Sequence, residues 1–281
     1  TTQEMLDKTG FDISTADNYN AFLEECLKYK QANIPGAPEL SLDYYMPPYL
    51  ADAVDYDTKE VKINTPENRE TIRLNYEAVA SLSDAEGYGR GGFYAQKIFE
   101  NKAVFTQATQ PASLYMISYR ALKGTATPVM AAVRDAEGRL MAEVNEYAMI
   151  NANSPNQENA YAFLKLLMSD ENYLGISHKA SVPISNDAMH SYLEGMIGKE
   201  EKLEDLLQGG IGELETAAGL TQEEVDAYMD ILAEVDGAYI REKDVEDAHT
   251  ETIEPYYDGE TADLDGCIQN FEDKLKIIAS E

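Results

Sequence analysis

The spacing of apolar positions switches repeatedly between helical and extended rhythm. Residues 1–31 predict two helical pieces around a break. Gly10 closes the first, Ser14, Thr15 and Asp17 offer caps for the second, and Leu23, Cys26 and Leu27 share one face of it. From Asn33 to Pro48 the prolines Pro35, Pro38, Pro47 and Pro48 surround Tyr44 and Tyr45, which predicts loop or edge strand. The polar stretch 52–62 predicts a surface hairpin. Thr65, Pro66 and Glu67 then open a helix whose apolar positions include Ile72, Tyr76 and Val79. A helix over 93–100, a strand over 103–106, a loop TQPASLY over 109–115 and a strand over 129–133 follow. A turn over 135–138 leads into a strand spanning 141–150.

The stretch 145–168, NEYAMINANSPNQENAYAFLKLLM, predicts an extended segment turning directly into a helix. Ser154 is placed to cap it, Pro155 suits the first helical position, and Gln157 completes a capping box. Ala160, Phe163, Leu164 and Leu167 then fall on one face. Residues 195–219 are acidic and dotted with glycine, a candidate surface helix with loops. Thr221 and Glu224 form a second capping box before a helix carrying Val225, Met229 and Leu232. The tail closes on an amphipathic helix through Cys267, Phe271 and Leu275.

The 281 residues suffice for one or two domains, and a hydrophobic content of 44% is that of a globular chain. Charge sharpens the picture: 52 acidic against 22 basic residues give a net charge of −30, which repels nucleic acid phosphates and anionic lipid. Cys26 and Cys267 are too few for a disulfide framework and read as small core residues. The chain has no G-x-S-x-G elbow, H-E-x-x-H, Walker loop or C-x-x-C. His178, His190 and His249 lack ligand-like spacing, and no cofactor or metal is expected. GYGRGG (87–92) matches a dinucleotide fingerprint in form, but SLSDAE precedes it where an apolar strand belongs. Asp263, Asp265, Gly266, Ile268 and Glu272 fall at EF-hand positions. Thr261 stands where the first aspartate should be, and a helix start explains the segment better.

Four separated stretches, in order, carry a resemblance. Residues 4–30 are similar to the "kdLlekaGld.p.TwdEfleak" pattern of the family 1 extracellular solute-binding proteins of ABC transporters. Residues 145–168 resemble that family's "yaInanSpN" hinge strand and the helix it feeds. Residues 176–188, ISHKASVPISNDA, resemble its loop of the "Pvrkda" type, and 246–281 resemble its closing segment. The resemblance implies an α/β, periplasmic-binding-protein-like type II fold whose second lobe is largely complete and whose first lobe is partial and mostly helical. Residues 1–145 would form the second lobe, 146–150 a hinge strand, 151–234 the helical remainder of the first lobe, and 235–281 helices returning to the second. The opening βα units of the first lobe would then be lacking. No catalysis is implied. Two lobes would close on a solute, with carbohydrate the expected class, and hand it to membrane permease subunits. The location would be extracytoplasmic, on a cell-surface lipoprotein or in a periplasm, and the shortened chain could form a homodimer.

Nineteen tyrosines and no tryptophan depart from the family's usual sugar-stacking residue, although tyrosine also offers a flat face and a hydroxyl. By resemblance Tyr44, Tyr45, Gln110, Ser113, Tyr147 and Tyr239 are the expected cleft residues, Tyr239 on a third interlobe crossing. A secreted glycan-acting enzyme using two carboxylates and a non-transport interaction protein remain open as rival classes.

Overall fold

The computed structural model describes residues 1–41, 50, 53–78, 94–106, 112–144, 148–175, 185–206 and 213–280. Helix α1 (Gln3–Thr9) starts where the Thr2 hydroxyl accepts from the Met5 amide, and it stops at Gly10, whose φ of 68° is the left-handed conformation that glycine adopts without strain. Ser14, Thr15 and Asp17 do not cap the next helix as expected. They form a 3₁₀ turn (Ile13–Asp17) capped by Asp12, and Asn18 caps α2 (Tyr19–Ala32) by accepting from Ala21 N at 3.1 Å. Leu23 and Cys26 are fully buried, as their spacing demanded.

Strand β1 (Glu39–Ser41) lies in the proline-rich stretch. Strands β2 (Val54–Asp55) and β3 (Glu60–Val61) make the predicted hairpin, and α3 (Pro66–Ala78) begins at the predicted proline. After α4 (Tyr94–Phe99), β4 (Ala103–Thr106) pairs parallel with β1. Helix α5 (Ala112–Lys123) takes over part of the expected loop 109–115. No strand forms over 129–133, because the backbone there bonds to the start of the chain instead of a ladder: Val129 N donates to Thr1 O and Arg134 N to Ala16 O. The turn at 135–138 is present, with Asp135 accepting the Glu137 and Arg139 amides.

Strand β5 is Leu140–Val144, while 148–150 carry no regular structure. Helices α6 (Gln157–Leu167) and α7 (Asp170–Gly175) come next, then α8 (Asn186–Glu194). The capping box predicted at Ser154 is not made. Helix α6 starts two residues later than expected, Asn156 stands at its cap without a side-chain cap bond, and Ser154 Oγ accepts the Asn156 amide. The candidate surface helix in 195–219 is mostly short turns and a small ladder: β6 (Glu201–Lys202), α9 (Leu203–Leu206) and β7 (Thr216–Ala217). Its Leu203, Leu214 and Ala217 are core residues. The second predicted capping box does form, at Thr221 and Glu224, and opens α10 (Gln222–Ala233). Strand β8 (Val235–Ile240), α11 (Lys243–Thr252), α12 (Glu254–Tyr257) and α13 (Leu264–Ser280) finish the chain.

The protein is thus a mixed α/β structure dominated by helix, and among the described residues strands pair only two by two. Three apolar clusters make the body. The first joins α1, α2, β4 and α5 around Phe11, Phe22 and Phe105, whose ring centroids lie 5.2–5.9 Å apart. The second joins the β2–β3 hairpin, α11, α12 and α13, and the third joins α5, α8 and α10. Helix α3 gives Leu74 to the first and Ile72 to the second, and α5 gives Ile117 to the first and Met116 to the third, so two helices rivet the clusters together. Residues 185–234 therefore pack directly on the unit formed by 1–144. Arg120, 1% exposed, secures that junction. Its guanidinium donates to Ala218 O (2.7 Å), Lys199 O (2.7 Å) and Glu201 Oε2 (3.0 Å). Gly219 lets the two loops meet, since a Cβ there would sit 2.5 Å from the Gly198 backbone. Cys26 and Cys267 are free, buried and in different clusters. Asp263 accepts the Gly266 amide at the start of α13, Asp265 pairs with Arg69, and Glu272 with Lys276, so the residues at EF-hand spacing serve a helix start and its surface.

Candidate binding site at the ends of two paired strands

Strands β5 and β8 lie 91 residues apart at their nearest ends in sequence (144 to 235) yet pair in parallel, with Glu143 opposite Tyr239 and Val144 opposite Ile240. Parallel pairing sends both carboxyl ends to one edge, the position at which α/β proteins collect ligand groups. The alternation of β8 places Gly237 and Tyr239 on a half-buried face and leaves Ala238 and Ile240 exposed.

Several polar side chains meet at this edge. Arg241, directly after β8, hydrogen-bonds Glu246 in the first turn of α11 and lies 3.8 Å from Glu143 of β5. Burial works against its charge, but the Glu246 and Glu143 carboxylates outweigh that and raise its pKa. Tyr56, from the turn of the β2–β3 hairpin, donates its hydroxyl to Glu242. Its phenol is pushed well above the ordinary tyrosine range, first by burial and then by that carboxylate. The result is a partly exposed group of guanidinium, carboxylate and phenol, all fixed to strand or helix ends. Such a set offers planar donors and acceptors to a hydroxylated solute and has no activated nucleophile in it. Among the described residues, no three His, Cys, Asp or Glu side chains converge as metal donors.

Of the expected cleft residues, Tyr239 lies half-buried in β8 at this edge, and Ser113 is the second residue of α5. Tyr44, Tyr45, Gln110 and Tyr147 lie outside the described residues, as do GYGRGG and His178. Sequence reasoning missed Tyr56, Glu143, Arg241, Glu242 and Glu246. The available signal was positional: Arg241 and Glu242 are the first charged residues after the apolar part of β8.

Among the described residues no helix is long and apolar enough to cross a membrane. Compared with known proteins, the chain matches no protein-family model and no curated protein sequence.

Proposed function

We propose that the chain is the solute-binding component of an ABC importer, of periplasmic-binding-protein-like type II fold, and that it captures a carbohydrate for membrane permease subunits outside the cytoplasm. The observation that carries this reading is the parallel pairing of β5 with β8. Strand β5 ends just before 146–150, the segment whose resemblance marks it as a hinge strand, and β8 carries Tyr239, expected on a third interlobe crossing; β5 and β8 lie side by side with a polar group at their shared end. The route of the chain supports it further. It leaves along β5, makes a helical excursion through α6–α10, returns along β8, and packs its tail helices on the hairpin cluster. In this reading Tyr239, Tyr56 and Arg241 contact the solute, and the apolar surface of α6 is met by a second copy of the chain.

Thermal unfolding against a panel of neutral oligosaccharides tests the proposal. A ligand at about a hundred times its dissociation constant adds about 2.7 kcal/mol to the folded state. The expected result is a raised midpoint with one saccharide class, lost in Tyr239→Ala. If no saccharide moves the midpoint, carbohydrate capture is wrong, and a response to peptides would redirect the assignment.

A further inference from the structure

The β5–β8 pair is held together in an unusual setting. Parallel sheets are normally many-stranded and covered on both faces, and a two-stranded ribbon is marginal in water. Here the ladder has two strands among the described residues, and Val235, Asp236, Ala238 and Ile240 of β8 face solvent. The three-cluster body lies elsewhere, and none of its buried apolar residues comes from β5 or β8.

Side-chain clasps stand at both ends of the ribbon. At the entrance, Arg134 is tied to the body by its own amide, which donates to Ala16 O at 2.9 Å. Its guanidinium reaches forward to Glu234 and Asp236, which flank the start of β8, and to Gly138 O at 3.3 Å. Asp236 in turn accepts the Leu140 amide of β5 at 2.8 Å. At the exit, Arg241 joins Glu143 of β5 to Glu246 of α11. Arg134 thus ties the start of β8 to the body, and Arg241 ties the end of β8 to β5 and to α11.

Partly exposed ion pairs contribute only about 0.2–1 kcal/mol each. Against the free energy of global unfolding that is minor. Against the local opening of a thin surface ribbon, which sits at the low end of the stability scale, it is a large fraction. Salt weakens such pairs as the Debye length shrinks from about 30 Å at 0.01 M to about 3 Å at 1 M. The body responds with the opposite sign, because screening relieves the self-repulsion of a chain carrying −30 charges.

We propose that Arg134 and Arg241 are two ionic clasps that make the β5–β8 ribbon a salt-releasable unit, opening together while the three-cluster body stays closed. This device stands independently of the transport reading. Native-state hydrogen exchange tests it, following the β5 and β8 amides with the buried amides of Leu23 and Cys26 in α2 as internal reference. In the unaltered chain, raising salt should speed exchange in the ribbon while the α2 amides hold or slow. In R134Q/R241Q, which removes four such weak pairs, the ribbon should exchange about tenfold faster at low salt and lose its salt dependence. K62Q/K202Q removes two cations from exposed pairs elsewhere and changes the net charge equally, so it should leave the ribbon as it was. Ribbon exchange that is unchanged in R134Q/R241Q, or that moves with α2 as salt rises, overturns the proposal. So does acceleration in the control variant.

Discussion

His249 is the residue whose chemistry departs furthest from what its surroundings in sequence suggest. It sits among acidic and polar residues, yet it is 1% exposed, edge-on to Phe271 with ring centroids 5.7 Å apart. Burial lowers its pKa from 6.5 to about 4. The sign of the consequence follows from which state binds the proton first. As pH falls, the unfolded chain protonates near 6.5 while the folded chain resists until about 4, so stability is full above the first value and is lost between the two. The shift corresponds to roughly 3 kcal/mol. Urea denaturation of His249→Phe across that range should show the loss reduced by about this amount; an unaltered slope would assign the acid sensitivity to carboxylates. Arg120 teaches the companion lesson. In the run ASLYMISYRALK an arginine reads as a solvent-facing residue, and only the loops at 199–201 and 217–219 folding over it make it a buried hub.

At the scale of elements, α10 and α6 form a natural comparison, with 12 and 11 residues. Helix α10 has a complete capping box and buries Val225 and Tyr228, whereas α6 has no side-chain cap bond and buries nothing. Phe163 and Leu166 of α6 are 58% and 60% exposed. Helices of this length are marginal in water without tertiary cover. Thr221→Ala should therefore cost about 1 kcal/mol. Phe163→Ala should stay within about 0.5 kcal/mol, since Phe163 is mostly exposed among the described residues. A loss of several kcal/mol from Phe163→Ala in equilibrium unfolding would show that α6 is covered in solution. The contrast also marks how legible the elements were. Thr221–Glu224 and Ser154–Gln157 are equally good capping signals, and the one whose helix docks on a core formed as written. The other shifted by two residues, because among the described residues α6 buries no side chain that would fix where it begins.

For the whole molecule, two opposing features govern association. Copies carrying −30 charges repel, while Met149, Tyr161, Phe163, Leu166, Leu167 and Met168 are exposed apolar side chains on α6 and next to it. Self-association through this face should strengthen as salt rises from about 0.01 M to about 1 M and repulsion is screened. Sedimentation equilibrium at the two extremes measures it. A monomer at both, over a wide range of protein concentration, would rule out a second copy as the cover of α6. The sequence by itself determined most of the helices, the β2–β3 hairpin, the turn at 135–138, and the burial of Leu23, Cys26, Ile72, Cys267, Phe271 and Leu275. These depend on local periodicity, caps and composition, which any window of the chain displays. The tertiary structure alone decided that β5 pairs with β8, that 129–133 bonds to the start of the chain instead of forming a strand, that Arg120 is buried, and that Tyr56, Glu143, Arg241, Glu242 and Glu246 gather at one edge. Those outcomes depend on which distant segments meet, and no periodicity within a segment records its partner.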